Sequence, residues 1–184
     1  MKKIQYIVLI CVLSLTLTFT AKAQSYGVRT NVAAWATQTA NVGVDFVLSE
    51  TTTLHFTAYK TIGQSWFKDL NATALQVEYR YWFAHQPMQD FFVGFTATPA
   101  HYKMVVDGRM HGGVMTDVLH DGFAIPCGIN IGYSWPLIDR LNLEVAAGTG
   151  MVFYTDRAAQ LDRTKHELTF STTNLMIGFT YILK

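Results

Sequence analysis

The chain of 184 residues has two cysteines, and one of them, Cys11, lies in an apolar leader. With the leader removed Cys127 stands alone, which excludes an intramolecular disulfide and a cysteine metal cluster. Charge is scarce as well. Only 15% of residues are Asp, Glu, Lys or Arg, the formal net charge is +1, and no basic patch forms, so nothing points to nucleic acid. Long hydrophobic runs are missing after the first twenty residues, which argues against membrane-spanning helices. Yet half of the residues are hydrophobic and 14% are aromatic. A secreted chain so apolar and without a disulfide needs another source of rigidity, and a closed hydrogen-bonded barrel would supply it.

The opening "MKKIQYIVLICVLSLTLTFTAKAQ" reads as a signal peptide. Lys2 and Lys3 form a positive n-region, Ile4 to Thr20 an apolar core, and Ala21-Lys22-Ala23 a small-residue cleavage site. The expected domains are therefore a signal peptide over 1–23 and one barrel over 24–184. Loss of Lys2, Lys3 and Lys22 leaves 11 basic against 13 acidic residues, a net of about −2 by formal charge.

From Gln24 onward the hydrophobic pattern has period two. In "RLNLEVAAGTGMVF", Leu141, Leu143, Val145, Ala147, Met151 and Phe153 share one face, and Asn142, Glu144, Ala146, Gly148 and Gly150 the other. The same alternation predicts strands over 25–35, 40–49, 52–61, 72–84, 90–103, 122–135, 140–153 and 173–184. Each is long enough for a tilted strand to cross a bilayer. Their connections alternate in length: 49–52, 84–89 and 136–139 are short, whereas 61–71, 103–121 and 154–172 are long, with 36–39 the exception. Outer-membrane barrels sort their connections this way, with short periplasmic turns and long outer loops. The expected fold is all-β, an eight-stranded up-and-down antiparallel transmembrane barrel in the outer membrane of a Gram-negative bacterium, with outer-membrane lipid and the barrel assembly machinery as partners.

"ALQVEYRYWF" sets Gln76, Glu78 and Arg80 at every second position of an apolar stretch. In a lipid-embedded barrel Leu75, Val77, Tyr79, Tyr81 and Phe83 face acyl chains, while Gln76, Glu78, Arg80 and Trp82 face the lumen. Eight strands enclose just enough space for side chains to fill it. Charges removed from water must pair, so a lumen network is expected in which Arg29 and Arg80 are neutralised by Asp45, Glu78 and Glu144. Inward glycines make room for it. Aromatics should form two interfacial girdles: Tyr26, Phe83, Phe91, Tyr133, Trp135 and Tyr181 at one end, and Trp35, Trp66, Tyr102, Phe123 and Tyr154 at the other.

The last strand "MIGFTYILK" carries Gly178, Tyr181 and Leu183 at the spacing of an outer-membrane assembly signal, although Lys184 follows where an aromatic usually stops the chain. With "YGVRTNVAAWATQTANVGVDFVLSETTTL", "VEYRYWF", "FFVGF" and "GYSWPLIDRLNLEVAAGTG", the chain resembles a Bacteroidales family of small outer-membrane proteins, a domain-of-unknown-function family. Gly27-Val28-Arg29-Thr30-Asn31 stands where the family has a Gly-x-Lys-Thr-Asn-like opening. The resemblance implies an eight-stranded barrel, a setting similar to surface-appendage loci, and hence a surface or fimbrial partner. It implies no catalytic residues.

Metal ligands could come from Asp107, His111, Asp117, His120 and Asp121, but no recognised ligand spacing is present, and no metal or other cofactor is expected. Lipid-modifying barrels need a nucleophile, a His and an orienting acid, and neither His55 with Thr57 nor His101 with Tyr102 offers that set. The leading expectation is a non-enzymatic barrel presenting loops 61–71, 103–121 and 154–172. A lipid-modifying enzyme and a soluble periplasmic ligand-binding barrel remain the alternatives.

Overall fold

The structure, a computed structural model, describes residues 26–62, 70–106, 118–158 and 163–183. The signal peptide expected over 1–23 lies outside them, as do Trp66, Lys184, Asp107, His111 and Asp117. Among the described residues there are nine strand segments and one short helix: β1 (Tyr26–Asn31), α1 (Val32–Ala36), β2 (Thr39–Ser49), β3 (Thr52–Thr61), β4 (Asn71–Trp82), β5 (Asp90–Ala97), β6 (Ala100–Val106), β7 (Val118–Ile138), β8 (Leu141–Ala158) and β9 (Arg163–Leu183).

All pairings are antiparallel, and they close. Tyr26 to Asn31 of β1 run beside Leu183 to Gly178 of β9, so first and last strands seal the ring there. β5 and β6 act as the two halves of one ring position, because both pair with β4 and with β7. Thr98 and Pro99 separate them. The break keeps its hydrogen bonds through Thr98 N–H to the Pro126 carbonyl and Leu75 N–H to the Pro99 carbonyl. The ring therefore has eight strand positions.

The predicted spans hold in the strand middles and fail at several ends. β1 stops at Asn31, short of 35, because the Asn31 side chain accepts from Ala33 N–H and caps α1, as a helix N-cap does. β7, β8 and β9 run well past the predicted ends. Most of the expected loop over 154–172 is a paired hairpin, with Asp156 opposite Lys165 and Ala158 opposite Arg163. The loop over 103–121 is likewise strand at both ends, Lys103 pairing with Asp121. The extra length projects beyond the rim opposite the paired ends Tyr26 and Leu183.

Polarity is reversed relative to a water-soluble barrel. Among the described residues the buried apolar side chains are five, Trp82, Met88, Phe92, Ala146 and Met176, against eighteen buried polar or charged ones. Outward positions carry Val42, Val44, Leu75, Tyr79, Phe95, Ile129, Ile131, Leu175 and Ile177, all exposed.

At the end holding Tyr26 and Leu183, the lumen is closed. The turn between β4 and β5 has left-handed backbone at His85, Met88 and Asp90, each costing on the order of 1 kcal/mol or more for a side-chain-bearing residue. The turn is held by insertion of Met88, which is 1% exposed and packs with Trp82 and Phe92. The Met88 carbonyl accepts from Ser134 Oγ at 2.7 Å and from the Asn142 amide.

Candidate functional site

Alternation alone brings the inward polar residues together. On β4, Glu78, Arg80 and Trp82 share the inner face; on β1, Gly27, Arg29 and Asn31; on β8, Asn142, Glu144 and Ala146. Ring closure then sets strands distant in sequence across one narrow lumen. The five residues expected to pair there lie in one connected set.

Glu144 is its centre. Its Oε2 accepts from Arg29 Nη2 at 2.5 Å and from Arg80 Nη1 at 2.8 Å, and its Oε1 accepts from Thr180 Oγ1 at 2.9 Å. Arg80 grips Glu78 with two donors, Nε to Oε1 at 2.6 Å and Nη2 to Oε2 at 2.9 Å. This is the bidentate geometry that the planar guanidinium favours. Arg29 Nη1 lies 3.5 Å from Glu78, and its Nε lies 3.0 Å from Asp45 Oδ1. The latter contact is off the hydrogen-bond direction and acts as an ion pair. Asn130 donates to Glu78 Oε1, and the Arg80 guanidinium stacks 4.0 Å from the centre of the Phe92 ring.

Two inward glycines make this fit. A Cβ on Gly94 would sit 2.4 Å from Asn130 Oδ1 and 3.0 Å from Glu78 Oε1, and one on Gly43 would sit 2.7 Å from Arg29 Cγ. Both would displace the network.

His55 belongs to the set, which sequence reasoning had not paired. Its Nδ1 lies 2.7 Å from Asp45 Oδ1 and its Nε2 2.5 Å from Thr53 Oγ1, and Thr53 Oγ1 accepts from Trp82 Nε1 at 2.8 Å. Trp82, Thr53, His55 and Asp45 thus form one continuous chain. The register explains it: Asp45 is opposite His55 across β2 and β3, and Thr53 is two residues from His55 on the same face. Hydroxyl, imidazole and carboxylate in that order are also the parts of a nucleophilic triad. Here Thr53 and Asp45 are 0% exposed and His55 1%, and the Trp82 N–H already occupies the hydroxyl oxygen.

The rest of the expected sites disperse. His120 and Asp121 are neighbours on opposite faces. His120 Nδ1 lies 2.5 Å from Asp156 Oδ2 on the inner face. Asp121 sits outside with Lys103 at 2.9 Å and His101 at 3.0 Å. The five-residue metal set is therefore not assembled by its described members, and no group of three or more His, Cys, Asp or Glu side chains placed to hold a metal ion occurs among the described residues.

Two aromatics expected in the outer girdle point inward instead. Tyr102 donates to Asp156 Oδ1 at 3.4 Å, and desolvation, with Asp156 adding to it, pushes its phenol up to about 12. The Tyr154 hydroxyl binds Glu167. Trp35 and Phe123 are exposed, as are Tyr26, Phe83, Phe91, Trp135 and Tyr181 at the other end. Of the terminal triplet, Gly178 is inward and buried, and Tyr181 and Leu183 are outward.

Residues 7–183 match the model of a family described as a protein of unknown function, DUF3575. No curated protein and no solved structure matches the chain.

Proposed function

The chain thus belongs to the DUF3575 family, and from its own geometry we propose that it is a non-enzymatic outer-membrane barrel of a Gram-negative bacterium, delivered by a cleaved signal peptide, that displays the connections opposite its termini as a surface-interaction platform. The observation that carries this reading is the reversed polarity of a closed ring: charges inside, exposed aliphatic and aromatic side chains all round the outside. An apolar exterior of that extent is not tolerated in water as a free surface. On β8 the outward residues run from Leu141 to Phe153. At about 3.4 Å per residue and a tilt of about 35–45°, they rise roughly 29–33 Å, enough to cross an apolar band about 25 Å tall. Above that band a charged row begins, in which Lys60 binds Asn71 and Thr73, and Lys103 and His101 bind Asp121.

Several features favour a rigid scaffold over a catalyst or a pore. The lumen is filled by ion-paired side chains and plugged by Met88, Trp82 and Phe92. The triad-like chain of Thr53, His55 and Asp45 is at most 1% exposed. A soluble ligand-carrying barrel would need the opposite polarity. Gly178, Tyr181 and Leu183 would offer the last strand to the barrel assembly machinery, and a surface or fimbrial protein is the partner this platform would serve.

The test is fractionation with heat-modifiability. A closed sheet in detergent keeps its hydrogen bonds until heated. The unboiled protein should therefore run apart from the boiled protein in SDS and be recovered with outer membranes. Recovery in the soluble periplasmic fraction with identical migration would refute the reading.

A further inference from the structure

Among the described residues β9 has an open sheet edge. β8 pairs with it on one side along almost its whole length, from Ala158 opposite Arg163 to Leu141 opposite Tyr181. On the other side only Gly178 to Leu183 pair with β1, because β1 stops at Asn31, where the chain turns into α1. The Asn31 side chain extends the cover a little, accepting from Ile177 N–H at 3.3 Å and donating to the Leu175 carbonyl at 3.1 Å. Beyond that point, toward Arg163, no strand lies beside β9 on the β1 side among the described residues. Burial follows the pairing. From Asn174 to Tyr181 buried and exposed residues alternate, whereas 167–172 are six exposed residues in a row. Phe170, 71% exposed, is the most exposed large apolar side chain of the described residues, and Leu168 on the same outward face is 56% exposed.

We propose that this edge is a docking site for an extended segment of a partner protein, which adds to the sheet as an antiparallel strand. An open edge presents a row of backbone N–H and C=O groups, and leaving them unmade beside an apolar wall is costly. A small molecule or an acyl chain cannot satisfy such an alternating row. A second extended backbone does, in the manner of β-augmentation. The edge is held ready, since β8 fixes the register of β9 as far as Arg163, so the ordering cost falls on the incoming segment alone. Side chains set the pattern that the segment must carry. Apolar residues at alternate positions would lie against Leu168 and Phe170, as Phe153 and Met151 of β8 do from the other side, with polar residues between them. A second copy of this chain in the same membrane does not fit. Like edges pair in regular antiparallel fashion about a two-fold axis normal to the sheet, and with the barrel wall upright in the membrane that axis would turn one barrel upside down. The proposal rests on the surface-platform reading and names the class of partner that the platform takes.

The test uses the whole purified protein in a zwitterionic detergent and a fluorescent synthetic peptide of residues 149–155, the segment that pairs with Thr172 to His166 from the β8 side. Fluorescence anisotropy should show saturable binding. Two further peptides carry N-methyl groups at alternate amides, one set each. Alternate amides of a strand point to opposite sides, so one methylated peptide should bind like the parent and the other should not bind. Phe170→Ala should weaken binding of the parent peptide about 2- to 5-fold, the worth of one cross-strand aromatic pair, and an unchanged heat-shifted gel band shows that this variant folds. Absence of saturable binding overturns the proposal, as does like behaviour of the two methylated peptides or unchanged affinity in Phe170→Ala. Protein that is dimeric by light scattering and excludes the peptide would assign the edge to a second copy and overturn the proposal as well. Each of these failures would leave the fractionation result, and the outer-membrane reading, untouched.

Discussion

Two substitutions in the lumen should differ in cost, and their order follows from charge. With His55 neutral, the network holds two guanidiniums and three carboxylates, a formal −1. Glu144→Leu removes one carboxylate and brings the count to zero. It deprives Arg29 and Arg80 of one bond each and Thr180 of its acceptor, yet Arg80 keeps both bonds to Glu78. Arg80→Met removes three guanidinium bonds, two to Glu78 and one to Glu144, and takes the count to −2 among side chains that are at most 4% exposed. Breaking a buried pair by removing one partner costs about 3–5 kcal/mol. Glu144→Leu belongs near the lower end, and Arg80→Met near the upper. The difference of about 2 kcal/mol is a factor of roughly 30 in the folding equilibrium. The double substitution should cost less than the sum, because the two residues share a bond. Urea unfolding in lipid vesicles measures this, with tryptophan fluorescence as the signal, since Trp82 lies 6.0 Å from the Arg80 guanidinium. Two silent variants, or Glu144→Leu costing more than Arg80→Met, would refute the idea of a sealed network short of positive charge.

The two faces of β8 should answer differently to a new cation. Val145→Arg puts charge on the apolar exterior and should cost about 2–4 kcal/mol at the bilayer midplane, read as a lower urea midpoint. Ala146→Arg must fit beside Trp82 and Phe92 and should fail by crowding, which conversion of Met176 to Ala would relieve in part. An epitope tag inserted at Ala159 should be reachable on intact cells and one at Asp139 should not, and the reverse pattern would invert the topology. At the outer rim, hydrogen bonding by Lys103 holds Asp121 below the usual carboxylate range. The bond it makes therefore stabilises at pH above that of an unfolded Asp and is lost as pH falls through the depressed value. Amide protection at the β6–β7 end, measured against the intrinsic exchange rate at each pH, should fall on acidification below about pH 4, and Asp121→Asn should remove that pH dependence.

The reading from sequence succeeded where one face was polar and the other apolar. Leu141 to Phe153 alternate cleanly, so their strand was visible, and its inward Glu144 could be paired in advance with the arginines that alternation also turned inward. It failed beyond the rim. Apart from Leu168 and Phe170, which share one face, residues 154–158 and 163–172 are largely polar, and a period-two pattern needs sustained contrast between faces to be seen. Val32 to Ala36 failed in the other direction, apolar enough to extend a strand, yet turned into a helix by the single cap of Asn31.

What the sequence determined by itself was which side chains share a face, because that depends only on parity along an extended chain. Which of those faces meet was decided by the tertiary structure, because register and ring closure bring together groups far apart in the chain. Arg29 reaches Glu144 across 115 positions. His55 finds Asp45 and Thr53 through the β2–β3 register. Met88 becomes a plug because Ser134 and Asn142 capture its carbonyl. The open edge of β9 arises because β1 gives way to α1 after Asn31, and an edge exists only once the neighbouring strands are in place.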